Sequence, residues 1–160
     1  MSCPDSIMQP YLSLSWKATK LYQRCFLDIT REYGLSQNEK DVLLFLSHNA
    51  TCNTASDIAK YRSISKSLVS KSVDSLVHRG YLELHPDRHD RRCVHLHPTA
   101  EAAPLLRQLH QAQLGFFEAL GEGLSREERD TLLRLMAKIG DNIAHMDDAA
   151  PSGEASPGRA

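Results

Sequence analysis

Apolar side chains recur every three to four residues along most of this chain, which is the spacing of helices with one buried face. The stretches with this spacing run over about residues 9–33, 36–48, 54–61, 65–78, 99–120 and 125–146. Between the fourth and fifth stretches, the leucines and valines of residues 82–85 and 93–97 alternate with polar residues instead. A period of two predicts the two strands of a β-hairpin. The pattern therefore predicts a mainly α protein with a small β-hairpin, an α+β fold class.

Local signals mark where several of these helices begin and end. The segments 36–39 and 125–128 fit the capping box, in which a serine and a glutamate satisfy each other's backbone donors. Gly34 and Gly80 suit the left-handed position that often closes a helix. Pro104 lies too far inside the fifth stretch for an ideal first turn, so we expect an irregular start to that helix.

Residues 63–98, together with the short helix before them, have the layout of a winged helix-turn-helix. Two short helices, 54–61 and 65–78, are joined by a brief turn, which is the helix-turn-helix arrangement. The second helix has an apolar stripe made of Val69, Val73, Leu76 and Val77, and its other face is polar. The hairpin that follows carries three arginines in its loop, residues 86–92. A polar-faced helix followed by a basic hairpin predicts a DNA-binding unit.

The distribution of charge supports this prediction more than the total charge does. The whole chain of 160 residues has a formal net charge of −1, which does not by itself indicate a nucleic-acid partner. Between residues 60 and 92, however, eight Lys or Arg stand against four Asp or Glu, a local net charge of +4. A locally basic surface on a near-neutral chain is what contact with phosphates requires.

Other features of the sequence argue against membrane and catalytic functions. No run reaches the 18 apolar residues of a membrane span, and the N-terminus lacks the apolar core of a signal peptide. The four cysteines are widely spaced with no CxxC pair, which is typical of reduced thiols in a cytoplasmic protein. No Gly-rich phosphate loop, nucleophile elbow or carboxylate pair stands out. We therefore expect a cytoplasmic protein that is not an enzyme and needs no cofactor or bound metal.

The order of the helices and the segment from residue 65 to 102 resemble the MarR family of bacterial transcription regulators. The counterparts of the family's motifs are the recognition helix Ser65–His78, its closing pair Arg79-Gly80, the wing tip Asp90-Arg91-Arg92 and the Leu96–Thr99 entry into the next helix. The resemblance covers roughly residues 10–146. One departure is Pro98, which stands where the family usually has no proline ahead of the helix cap, and we expect it to shift the start of the following helix.

The resemblance implies a homodimer with a defined division of the chain. Residues 10–146 would form one MarR-like domain, in which 34–98 are the winged helix-turn-helix and 10–33 and 99–146 are dimerisation helices. The apolar stripes of these outer helices agree, since they are wider than a small winged domain can cover. Residues 1–9 are expected to be a flexible N-terminus, and residues 147–160 a small, polar, disordered tail.

As a member of such a family, the chain would bind double-stranded DNA through two groups of side chains. The recognition helix would enter the major groove with Ser65, Lys66, Ser67, Ser70 and Lys71. The wing would contact a minor groove with Arg88, His89, Arg91 and Arg92. Because serine and lysine are permissive readers of bases, much of the affinity should come from phosphates and should depend on salt. The expected function is a ligand-responsive repressor that binds a pseudo-palindromic operator.

The family often binds a small aromatic or anionic effector between its dimer helices and its DNA-binding part. By that resemblance, the candidates for a ligand pocket are Tyr11, Trp16, Tyr22 and His48. The alternative for each is a place in the core or in a subunit interface.

Two alternatives to a ligand-responsive DNA-binding regulator stay open. One is a winged helix used only for protein–protein contact. The other is a regulator of the same class that responds to metal or to thiol oxidation, through Cys25, Cys52 or Cys93 or through the Cys and His residues of the hairpin. Glu83, His85, Cys93, His95 and His97 should share one hairpin face, which is either a metal site or simply a polar strand face.

Overall fold

The computed structural model of the protein describes the backbone of residues 5–49, 51–90 and 92–149 and the side chains of 12–49, 51–90 and 92–146. The elements in chain order are α1 (Asp5–Arg24), α2 (Leu27–Glu32), α3 (Gln37–His48), α4 (Ala55–Arg62), α5 (Lys66–His78), β1 (Leu82–Pro86), β2 (Val94–Pro98), a 3₁₀ turn (Ala100–Ala102), α6 (Ala103–Leu120) and α7 (Arg126–Ala149). Helices with one antiparallel hairpin confirm the predicted fold class. The chain divides into two compact units between Phe117 and Glu118.

The core of the first unit is built around α3, which is buried on nearly all of its surface. Val42, Leu43 and Leu44 have no exposed area. The other elements pack around this helix, and their fully buried side chains are Phe26, Ile58, Val69, Leu76, Leu105 and Leu109. Because α3 contacts α4, α5 and β2, it holds the helix-turn-helix and the hairpin in one body.

The first predicted helix is in fact two helices. Instead of one helix from about 9 to 33, α1 begins at Asp5 and ends at Arg24, and α2 begins at Leu27. The break turns Phe26 fully into the core, where its ring meets the Tyr22 ring edge to face at 5.0 Å. Burying an aromatic ring of this size outweighs the few helical hydrogen bonds that the break disrupts. The sequence contains no Gly or Pro at this point to signal it.

A lysine lies completely buried beneath this break. Lys40 has no exposed surface, and its Nζ lies 4.4 Å from the centroid of the Phe26 ring. The same nitrogen is 2.9 Å from Asp41 Oδ1, an ion pair that offsets its charge but does not make a hydrogen bond, so Nζ has no hydrogen-bond acceptor among the described residues. A buried ammonium is tolerated only with such partners. The hydrophobic pattern of α3 gave no indication of this arrangement.

The hairpin pairs β1 with β2 in one antiparallel register, with Leu84 opposite Leu96 and Glu83 opposite His97. Only Leu82 and Leu96 are fully in the core, while Leu84 is 46% exposed. Leu84 follows the same alternation as Leu82 but lies outside the core. The segment before α4 pairs briefly with β2, since the Leu96 amide donates to Asn53 O at 2.8 Å.

The start of α6 is irregular, as Pro104 predicted. A 3₁₀ turn precedes the helix, and Pro104 lies in its first turn, where its missing N–H costs no helical hydrogen bond. Thr99 fixes the entry, because its hydroxyl donates to Gly80 O at 2.6 Å.

The second unit contains the end of α6, a turn and α7. Its turn has the predicted capping box, in which the Ser125 amide donates to Glu128 Oε2 at 2.7 Å and the Glu128 amide to Ser125 Oγ at 3.3 Å. The Arg129 guanidinium closes the turn by donating to Gly121 O at 2.7 Å. Helix α7 continues three residues beyond its expected end at Met146 and exposes a row of large apolar side chains: Leu132, Leu133, Leu135, Met136, Ile139, Ile143 and Met146. None of the helices that the structure describes is long and apolar enough to cross a membrane.

Candidate nucleic-acid interface

The turn between α4 and α5 fixes the second helix of the helix-turn-helix. Ser63 ends α4 in the left-handed conformation, with φ at 51°, and its amide donates to Ala59 O. The Ile64 amide donates to the same carbonyl at 3.3 Å. Ser65 then caps α5, since its hydroxyl accepts from the Leu68 amide at 3.4 Å. Three residues thus complete the turn.

Helix α5 separates its buried and exposed faces as the sequence predicted. Val69 and Leu76 are fully buried, and Val73 is 7% exposed. Ser72, which the apolar pattern did not include, is also buried, and its hydroxyl donates to Leu68 O at 2.9 Å. The five predicted DNA-reading residues of this helix are all exposed: Ser65, Lys66, Ser67, Ser70 and Lys71. The first two turns of α5 therefore present hydroxyls and ammonium groups to solvent.

A polar cluster attaches α5 to the start of α3. The Ser75 hydroxyl donates to Glu39 Oε1 at 2.5 Å, and the Ser36 amide donates to Glu39 Oε2 at 2.6 Å. Arg79, at the end of α5, donates to Tyr33 O and to Gly34 O, and its Nη1 lies 3.8 Å from Glu39 Oε1. We call Glu39, Ser75 and Arg79 the α3–α5 clamp. It joins the C-terminal half of α5 to the start of α3.

Glu39 is almost fully buried, with 6% of its surface exposed. Burial raises the pKa of its carboxyl. The hydrogen bonds from Ser75 and Ser36 and the charge of Arg79 outweigh burial, so the pKa lies below its ordinary value. The Glu39 carboxyl is therefore ionised at neutral pH.

The wing loop is ordered by its own aspartates. Asp87 Oδ1 accepts from the amides of His89 at 2.7 Å and Asp90 at 2.9 Å, and Asp90 Oδ1 accepts from the Arg92 amide at 2.9 Å. The bonds from Asp90, His89 and His95 lower the pKa of the Asp87 carboxyl to about 2. Arg88, His89 and Arg92 are exposed on this loop. Arg91, the fourth predicted wing residue, lies outside the described residues.

A histidine links the wing loop to the body of the unit. His95 on β2 lies with Nε2 3.1 Å from Asp87 Oδ2 and Nδ1 2.6 Å from Asn53 Oδ1. Asn53 is 5% exposed, so the contact reaches the core. The sequence placed His95 on a hairpin face but gave no indication of these partners. Beside this contact, a cleft of about 450 Å³ separates the start of α4 from the end of the wing, with Arg92 and Cys93 in its lining.

The predicted effector-pocket residues occupy three different settings. Trp16 is 73% exposed on α1. Tyr22 packs on Phe116, its hydroxyl accepts from Gln113 Nε2 at 2.8 Å, and burial raises the pKa of that hydroxyl. His48 lies at the end of α3 with its ring 4.9 Å from that of His110. The side chain of Tyr11 lies outside the described residues.

A cavity of about 420 Å³ lies next to this histidine pair. Its lining includes Ser47, Asn53, His97 and His110. His110 Nε2 lies 2.9 Å from the Ser47 hydroxyl. Burial lowers the pKa of His110, and the charge of His48 lowers it further. Sequence reasoning did not identify His110, because its relation to His48 is visible only in three dimensions.

The candidate metal and thiol residues are not gathered into a site. Within the residues that the structure describes, no group of three or more His, Cys, Asp or Glu is placed to hold a metal ion. His85 instead pairs with Glu83 at 3.2 Å and lies 4.9 Å from the His97 ring. Cys25 is a half-buried free thiol, and burial raises the pKa of its Sγ, which disfavours the reactive thiolate.

Part of the chain is similar in sequence to a known family of proteins. Residues 33–92 match the model of the MarR family. The chain is 29% identical over 83 residues to the transcriptional repressor MprA of Escherichia coli K12, covering 52% of this chain and 47% of that protein. It is 30% identical over 79 residues to the transcriptional regulator AdcR of Streptococcus pneumoniae, covering 49% and 53% of the two chains. The matched segment thus spans about half the length of these curated relatives.

Solved structures show the same fold over more of the chain. A MarR-family transcriptional regulator from Silicibacter pomeroyi has a TM-score of 0.72 at 20% identity, covering 84% of this chain and 89% of that one. A mutant of E. coli MarR complexed with operator DNA has a TM-score of 0.64 at 23% identity, covering 86% and 99%. Residues 33–92 are therefore similar in sequence to the MarR family, and the chain shares the fold of solved MarR regulators over most of its length.

Proposed function

We propose that this chain is a sequence-specific DNA-binding transcriptional regulator that acts as a homodimer. The observation that carries the proposal is the exposed Ser and Lys face at the start of α5, together with the exposed Arg88 and Arg92 on the wing. Helix-turn-helix proteins insert this part of the second helix in the major groove. The operator complex of the E. coli MarR mutant, which has the same fold, supports the same use here.

The homodimer is supported by apolar surface that the described chain leaves uncovered. On α1, Leu14, Trp16 and Leu21 are 64%, 73% and 54% exposed. On α7, Leu133 and Ile143 are 66% and 59% exposed. Large apolar areas of this kind mark interaction surfaces. Two recognition helices related by a two-fold axis would then read a pseudo-palindrome whose half-site centres lie about one helical turn apart.

We also propose that a small ligand regulates DNA binding. The chain would act in the cytoplasm as a repressor without catalytic activity, and a small aromatic or anionic effector would release it from DNA. The cavity beside His110 supports this, because amide, hydroxyl and imidazole groups line it together with Leu46, Leu96 and Leu106. Such a mixed lining suits a carboxylate attached to an apolar ring.

The experiment is selection of binding sites from a random duplex pool, followed by affinity measurements on several recovered sequences. Arg92→Ala should weaken binding to all of them by a similar factor, because a wing arginine contacts backbone or a narrow minor groove. Ser67→Ala should change which sequences bind best, because Ser67 faces base edges. If the protein selects no duplex from the pool but binds a partner protein, a module for protein–protein contact is favoured instead. Equal effects of both variants on all sequences would contradict the assigned roles.

A further inference from the structure

Leu68 is an apolar side chain in the middle of the proposed DNA-reading surface. It lies in the first turn of α5, between the exposed Ser67 and the buried Val69, and 45% of its surface is exposed. It borders a cleft of about 340 Å³ between α5 and the start of α3, opposite Ser36 and next to Lys71. Sequence analysis placed it neither in the buried stripe nor among the reading residues.

The position of Leu68 does not follow from the needs of the core. One residue is about 100° of helical turn, so Leu68 points well away from the stripe of Val69, Val73 and Leu76. Its backbone is fixed on both sides, because its amide donates to the Ser65 hydroxyl at 3.4 Å and its carbonyl accepts from Ser72 Oγ at 2.9 Å. The backbone is therefore fixed at this position, and the leucine side chain that it carries is only about half buried.

The neighbouring side chains give this leucine a distinct role on DNA. The exposed residues around it are serines and lysines, and residues 65–78 contain no Arg, Asn or Gln for bidentate recognition of a base. A serine hydroxyl donates or accepts and so tolerates several bases, and a lysine ammonium group donates to phosphates or to the acceptor atoms of guanine. An aliphatic side chain makes a favourable contact with one major-groove feature alone, the C5-methyl group of thymine.

We propose that Leu68 reads a thymine methyl group in each half-site of the operator. The inference rests on the proposed DNA-binding function and deepens it, since it names a base that the site must contain. The half-exposed leucine covers the methyl, and Ser67 and Lys71 on either side contact polar edges or phosphates.

The test uses the full chain and duplexes selected from a random pool. In the best duplex, each thymidine is replaced in turn by deoxyuridine, which lacks only the C5-methyl group. At one thymidine position in each half-site, the replacement should weaken binding about four-fold, the value of one buried methyl group. Leu68→Ala should bind the thymidine and deoxyuridine forms equally. The matched control is Leu84→Ala, which removes a leucine of similar exposure from the wing and should keep the full preference for thymidine.

Three results would overturn the inference. The first is wild-type protein that binds its selected duplex tightly but is indifferent to every deoxyuridine. The second is Leu68→Ala protein, folded by circular dichroism, that keeps the four-fold preference. The third is absence of DNA binding by the wild-type protein, which refutes the proposed function itself and is distinguishable from the first two because no duplex is selected at all.

Discussion

At the scale of single residues, the α3–α5 clamp shows how a buried carboxylate can position a surface helix. Glu39 accepts one hydrogen bond from its own helix cap, through Ser36, and another from Ser75 on α5. Arg79 adds its charge and two backbone contacts near Gly34. A carboxylate with this many donors is stable when buried. One ionised carboxylate thus links α5 to the start of α3.

Glu39→Gln should destabilise the fold by about 1–3 kcal/mol at pH 7, because an amide supplies a donor where Glu39 meets donors from Ser36 and Ser75. The pKa of the native carboxyl lies below its ordinary value of about 4.3. Its contribution is therefore complete above that pH and is lost as the pH falls through the lower, native pKa. Urea unfolding at pH 7, 5 and 3.5 should show the difference between wild type and variant shrinking at the lowest pH. Glu32→Gln, an exposed change on α2, is the control and should show no such loss. A difference that stays constant with pH would contradict this account.

At the scale of an element, the wing is a hairpin held by polar contacts at its loop. Its outer half has little core to rest on, as the exposure of Leu84 shows. Asp87 orders the loop backbone, and His95 ties Asp87 to Asn53 in the body of the unit. Both ring nitrogens of His95 lie within hydrogen-bond distance of side-chain oxygens, Nε2 of Asp87 Oδ2 and Nδ1 of Asn53 Oδ1. The loop backbone is therefore held in one arrangement, in which Arg88 and Arg92 are exposed.

The Asp87→Ala variant distinguishes two effects of Asp87 on DNA affinity, its negative charge and its ordering of the wing loop. Removing a negative charge beside Arg88 and Arg92 would tighten DNA binding if charge alone mattered. We expect binding about 5- to 30-fold weaker instead, because fixing one freed loop residue on DNA costs about 1–2 kcal/mol. The measurement is fluorescence anisotropy with a selected duplex, with faster amide exchange at His89 and Asp90 as the structural readout.

The matched control for the wing is Glu83→Ala. It removes the same charge from the hairpin strand, where Glu83 contacts His85 and not the loop. It should leave affinity unchanged or slightly increased. If Asp87→Ala behaves like this control, the loop does not depend on Asp87 for its order.

At the scale of the whole molecule, the sequence predicts which face of a helix is buried better than it predicts which residues or subunits that face contacts. The periodicity of Val69, Val73 and Leu76 located the buried side of α5, and the capping boxes located two helix starts, because both signals are local. The break at Phe26 and the Asn53–His95 contact were not predictable in this way. The Asn53–His95 contact joins residues that are distant in sequence. The break at Phe26 depends on the shape of the core, which cannot be read from local sequence patterns. The homodimer remains a prediction for a related reason, since exposed apolar surface identifies a surface but not what covers it.

Ile143→Glu tests the dimer directly. Ile143 is 59% exposed on α7, so a charge there should not disturb the fold of one chain. It should, however, place a charge in an apolar interface and shift the protein to monomer at micromolar concentration. Sedimentation equilibrium measures this, and Lys138→Glu, also exposed on α7, is the control that should remain a dimer. A wild-type monomer, or a dimer unchanged by Ile143→Glu, would refute the proposed interface.

The central claim is that the start of α5 and the wing together bind DNA phosphates, and the salt dependence of binding tests it most directly. Each phosphate contact contributes about −0.9 to the slope of log affinity against log salt concentration. Replacing Lys71 and Arg92 by alanine removes two contacts from each subunit, and so four from a dimer. We therefore predict that the slope falls in magnitude by about three to four for the double variant relative to wild type. A slope near zero for the wild type, or an identical slope for the double variant, would contradict the claim.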